Sequence, residues 1–61
     1  MWVFSKEYGL FNLERYDRVK SDGQYTYAYK EGGALRPISH TDIVGAICDA
    51  IRNDVKYMEV E

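Results

Sequence analysis

The stretch Ser39 to Asn53, S-H-T-D-I-V-G-A-I-C-D-A-I-R-N, constrains this chain more than any other, because it carries its only strong helical periodicity. On a helical projection Ile43, Ala46, Ile47 and Ala50 share one side, with Val44 and Ile51 beside them. Asp42, Gly45, Asp49 and Arg52 fall opposite. Ser39 followed by Asp42 resembles a capping box, and Thr41 is an equally good N-cap with Asp42 at the positive end of the dipole. If the helix ran on, Asp54 would land on the apolar side. The helix is therefore expected over about 40–53, stopping at Asn53, a residue that tolerates the left-handed conformation. Val44, Cys48, Ile51 and Val55 widen the apolar arc to roughly twice the ~100° that one core requires.

A single helix needs a surface to pack on, and the segments before it read as strands. They are expected at about 1–5, 10–20, 24–31 and 34–38. Met1 to Ser5 is an apolar and aromatic run in which Trp2 and Phe4 point one way, Val3 and Ser5 the other. Lys6-Glu7-Tyr8-Gly9 makes a turn, with Gly9 free to take a positive φ. Leu10 to Leu13 resumes an extended course, and Glu14 to Asp17 is a tight turn or one helical turn. Asp22-Gly23 is a strong hairpin signal. Tyr25, Tyr27 and Tyr29 then alternate with Thr26, Ala28 and Lys30, which is period two in strand-favouring residues. Glu31-Gly32-Gly33 is a second turn. Pro37 lacks an N–H, so the last strand of the run is expected to sit at a sheet edge or to end near there. The expected fold is α+β: an antiparallel meander of three to four strands with one C-terminal amphipathic helix packed on one face. The tail 54–61 is open between frayed helix, free tail, and a short strand on its own or a partner's sheet.

The element Gly9-Leu10-Phe11-Asn12-Leu13, set after a leading strand and before two hairpin strands and a helix, resembles a family of very short proteins from Gram-positive bacteria and their phages. Those carry a glycine-hydrophobic-hydrophobic-Asn-Leu element, an antiparallel sheet and a C-terminal helix. This chain departs from them in Gly45 within the helix and in a longer tail. The resemblance implies a mobile genetic element, and with it small inhibitors that bind a host or defence protein.

At 61 residues the chain forms one small domain, of a size that buries only ~60% of its unfolded surface. Such domains rely on disulfides, a metal or association. One cysteine and one histidine rule out an internal disulfide and a multi-cysteine zinc site, so no cofactor is expected and a homodimer is. Its expected contact is the helix flank of Val44, Cys48, Ile51 and Val55, with the tail able to pair across it. A free thiol fits a reducing cytoplasm, and no apolar run approaches the ~18 residues of a membrane span. No signal peptide is read at the N-terminus.

The net charge of −2 argues against a dedicated nucleic-acid binder, although the charges are uneven. Arg15 to Arg36 holds five basic and three acidic residues, whereas Ser39 to Glu61 holds two and five. Catalysis by His40 with Cys48 and Asp42 meets a geometric obstacle: two helical turns, ~12 Å of rise, separate the pair. Asp42 and Asp49 lack further ligands for a metal, and Gly32-Gly33 lacks the Lys and Ser/Thr of a phosphate loop. The remaining feature is the tyrosine row. Tyr25, Tyr27 and Tyr29 either face the helix as core with their hydroxyls at the rim, or stand exposed beside Arg18 and Lys20 as a binding surface. With Arg15 and Lys30 the same row is a stacking platform for nucleic acid. The functional expectation is a non-enzymatic protein-interaction module, an inhibitor of a bacterial host protein. Its alternatives are a small nucleic-acid-binding or transcription-regulating module and an accessory subunit of a larger complex.

Overall fold

The computed structural model describes residues 1–60. Strand β1 (Trp2–Ser5) turns back antiparallel into β2 (Gly9–Asn12), setting Trp2 opposite Asn12 and Phe4 opposite Leu10. Gly9 takes φ +97°, as the turn requires. Ser5 Oγ holds that turn by accepting the N–H groups of Glu7 at 3.3 Å and Tyr8 at 3.2 Å. The expected strand over 10–20 is in fact two strands. Asn12 Oδ1 accepts the Glu14 N–H at 3.1 Å, offering the backbone a local alternative to the ladder, and Leu13–Arg15 forms a single 3₁₀ turn.

Strands β3 (Arg18–Ser21), β4 (Thr26–Tyr29) and β5 (Leu35–Ser39) then form an antiparallel meander. The β3–β4 connection is shaped by Asp22, whose Oδ1 accepts the N–H groups of Gln24 at 2.9 Å and Tyr25 at 2.8 Å. Gly23 sits there at φ +99°. β5 is an edge strand, as Pro37 requires.

The architecture is α+β, with strands dominant and one helix. Helix α1 covers Val44–Arg52, four residues later in its start than expected. Neither Ser39 nor Thr41 caps it, and Ile43 occupies the N-cap position without a side-chain bond. Ser39 is instead the buried end of β5, paired with Thr26, and its Oγ accepts the Thr41 N–H at 3.1 Å. The C-terminus falls at Asn53 as expected, yet Asp54 takes the left-handed conformation at φ 57°. The N–H of Asp54 bonds Ile51 O at 3.1 Å and that of Val55 bonds Ala50 O at 2.8 Å, the pattern of a Schellman cap. The chain thereby leaves the helix before Asp54 reaches its apolar side.

The segment after the helix is β6 (Tyr57–Val60), which joins its own first sheet in parallel with β1. The described residues thus form two three-stranded sheets, ordered β2-β1-β6 and β3-β4-β5. Their inner faces and the helix meet at Val3, Ala28, Ile38, Ile43 and Ile47, with Phe11, Leu13, Tyr16, Val19, Met58 and Val60 packed around them. The helix contributes along its Ile43–Ile47 line alone; Ala46 is exposed and Ala50 half-buried, contrary to the wider face expected. Among the described residues no helix is long and apolar enough to cross a membrane.

Candidate functional site

The alternation of β4 decides the orientation of the tyrosines. Thr26 and Ala28 are fully buried, so Tyr27 and Tyr29 face outward. The alternative of a tyrosine core is thereby corrected. A buried Thr26 supplies a hydroxyl to the helix start, and Ala28 is small enough to let the layers close over it.

On the outer face of the second sheet the register builds two rows. Arg18, Tyr29 and Leu35 lie side by side in one, Lys20, Tyr27 and Pro37 in the next. The Arg18 guanidinium lies 5.9 Å from the Tyr29 ring centre, within cation–π range. Tyr25 extends the strip, its ring 6.1 Å from that of Tyr27 and tilted by 44°. Leu35 is 56% exposed and Tyr25 37%. The structure therefore brings Tyr25, Tyr27, Tyr29, Arg18 and Lys20 onto one continuous surface.

Asp22 stiffens one end of it. Besides the two backbone bonds, its Oδ2 accepts the Tyr27 hydroxyl at 3.3 Å. The Tyr25 N–H, then the Gln24 N–H, hold the Asp22 carboxyl below its usual range. Burial, and next the Asp22 charge, push the Tyr27 phenol up. Tyr8 enters the same neighbourhood from the β1–β2 turn. Its phenol is raised by burial first, then by Glu7 and Tyr25. Tyr8 carries no signal in the linear pattern, which does not bring the first turn near the start of β4.

The other candidates separate. Arg15 and Lys30 surround, with Tyr16, Ala34 and Arg36, an open hollow of about 410 Å³, and Lys30 also borders a hollow with Arg18 and Tyr29. His40 Nδ1 lies 3.8 Å from Glu7 Oε1, while Cys48 is an exposed free thiol on the helix. Among the described residues no group of three or more His, Cys, Asp or Glu side chains is placed to hold a metal ion. Of the helix flank, Val44 is half-buried and Cys48 exposed. Ile51 and Val55 line an open hollow of about 300 Å³ with Met1, Leu13, Glu14, Asp54 and Lys56. The tail strand β6 pairs with β1 of its own chain and forms an edge of the first sheet.

A second surface was missed. With Val3 and Ser5 fully buried, β1 turns Trp2 and Phe4 outward, at 44% and 37% exposure, beside Leu10 at 55% and Tyr57 at 49%. The alternation of β1 is visible in sequence, but it does not say which of the two pairs faces inward. The chain matches no known family model, and comparison with curated proteins and with solved structures yields no match either.

Proposed function

We propose that this protein is a non-enzymatic interaction module that docks another protein on the outer face of its second sheet. The observation that carries the reading is the outward strip of Tyr25, Tyr27 and Tyr29 flanked by Arg18 and Lys20. Tyrosine gives large, rigid contact area with few rotatable bonds, and arginine is the cation most enriched at interfaces. Two cations with exposed Leu35 suit a partner surface that is apolar at its centre and acidic at its rim. The resemblance carried by Gly9 to Leu13 supports a bacterial partner, and so an inhibitor of a host or anti-phage defence protein acting in the bacterial cytoplasm.

A nucleic-acid-binding or transcription-regulating module is the second reading, favoured by the gathering of Arg15, Arg18, Lys20, Lys30 and Arg36 on and around one sheet. The net charge of −2 weighs against it. Affinity purification from a Gram-positive host, comparing tagged wild type with the Arg18→Glu/Tyr27→Ala protein, separates the two. The expected result is a host protein enriched by the wild type and lost with the variant, whose circular dichroism is unchanged. If that protein is itself part of a larger stable assembly, the accessory-subunit reading follows. Retention of the same proteins by both forms overturns the docking face. Salt-sensitive co-purification of nucleic acid instead supports the second reading.

A further inference from the structure

The outer face of the first sheet is separate from the tyrosine strip and carries a different chemistry. Its register sets Asn12, Trp2 and Tyr57 in one row and Leu10, Phe4 and Glu59 in the next. Trp2, Phe4, Leu10 and Tyr57 are each between 37% and 55% exposed and adjoin one another. Such a patch reaches roughly the few hundred Å² above which exposed apolar surface marks a contact site.

We infer that this face packs against a second copy of the chain, with Trp2 and Phe4 near the two-fold axis. Charge selects the occupant. Lys6 and Glu59 border the same hollow beside Phe4 and Val60, so the face carries one charge of each sign at its rim. A two-fold contact uses the same surface twice, and an axis passing beside Phe4, between Lys6 and Glu59, sets Lys6 toward the partner's Glu59 and Glu59 toward the partner's Lys6. On the tyrosine face Arg18 and Lys20 stand side by side, and Asp22, the acidic group at its end, is already bonded to two backbone N–H groups and the Tyr27 hydroxyl. The helix flank, expected to form the dimer contact, offers Ile51 and Val55 without an aromatic, and the charges around its hollow are already engaged within the chain, Glu14 with the Met1 ammonium at 3.1 Å and Asp54 with Lys56 at 3.4 Å.

Core size gives the second argument. The fully or nearly buried apolar side chains among the described residues are Val3, Ala28, Ile38, Ile43 and Ile47. A core this small gains most from association, and the aromatic sheet face holds four of the eight exposed large apolar side chains among the described residues. The contact leaves the tyrosine strip free, so each copy still presents its own docking face.

Sedimentation from low to high micromolar concentration tests this, read together with the emission of Trp2, the only tryptophan. The wild type is expected to sediment as a dimer, with Trp2 emission moving to shorter wavelength as the concentration rises. Leu10→Lys is expected to be folded by circular dichroism and monomeric. Lys6→Glu is expected to weaken the dimer by about tenfold or more, since it faces like charge with Glu59. The Lys6→Glu/Glu59→Lys reversal is expected to restore it. A folded wild-type monomer across the range, with Trp2 emission insensitive to dilution, overturns the inference and leaves the face to a different protein. So does a dimer that survives Lys6→Glu and Leu10→Lys but is lost in Ile51→Asp.

Discussion

Thr26 and Ile43 are joined by one buried hydrogen bond, in which Thr26 Oγ1 accepts the Ile43 N–H at 2.9 Å. The same hydroxyl donates to Thr41 O at 2.7 Å. The central strand of the second sheet therefore holds both the N-cap residue of the helix and the loop that leads to it. It meets one of the N–H groups that a helix start leaves unpaired.

Thr26→Val keeps the shape of the side chain and removes the hydroxyl. The loss of stability is expected to be roughly 1–3 kcal/mol for each group orphaned, read by urea unfolding. Thr26→Ser, which keeps the oxygen, is expected to retain most of it. A Thr26→Val protein as stable as wild type refutes the anchoring role.

Ile47 is 4% exposed, and its neighbour Ala46 is exposed. Ile47→Ala is expected to cost about 2–5 kcal/mol through a lost side chain and a residual cavity. Ala46→Ser is expected to stay within about 0.5 kcal/mol of wild type. Similar costs at both positions refute the narrow helix contact.

Asp22 makes stability depend on acid pH. Its folded pKa lies below the ordinary 3.8, because the Tyr25 and Gln24 N–H groups bond the charged form. The contribution is therefore fully present above that ordinary value and is lost as pH falls through the lower folded one. Thermal melts of wild type and Asp22→Asn are expected to differ most at neutral pH and to converge in acid. A difference independent of pH refutes the link.

Gly23 holds φ +99°, and a Cβ built there meets nothing within 4 Å. The cost of Gly23→Ala is therefore conformational, about 1–2 kcal/mol by chemical unfolding. Gly23→Asn is expected to cost less, since asparagine visits the left-handed region more readily.

Asp54 is the non-glycine residue at positive φ among the described residues, at the Schellman position of the helix end. Its contact with Lys56, 3.4 Å between two exposed groups, offsets little of that strain. Asp54→Gly is expected to stabilise the protein by up to about 1 kcal/mol in urea unfolding, and a destabilised variant refutes this.

Local chemistry accounts for what was legible in the chain. The turns at Gly9, Gly23 and Gly32 appear where glycine follows a polar cluster, and each takes a positive φ. Pro37 marks an edge strand because it has no N–H to donate. Period two in Tyr25 to Lys30 is a strand, and the 3.6 period from Ile43 to Ile51 is a helix. The helix start was misplaced because Ser39 and Thr41 carry capping chemistry that the fold spends on a buried strand end and a loop. The outward placement of Trp2 and Phe4 is not legible because an isolated strand does not say which of its two sides is core.

The sequence by itself determined the class of the elements around Trp2, Tyr25 and Ile43 and, through period two, which residues stand together on a face: Tyr25 with Tyr27 and Tyr29, Trp2 with Phe4; it left open the strand at Tyr57–Val60 and the turn at Leu13–Arg15. These follow from backbone sterics and hydrogen bonding within a few residues of chain. Only the tertiary structure decided which face is buried, because that choice belongs to the whole set of packed layers. The small side chains of Val3, Ser5, Thr26 and Ala28 went inside, where two sheets and a helix close over them with the buried hydroxyls paired. The bulky aromatics of the same strands were left to the surface, where they are available to partners.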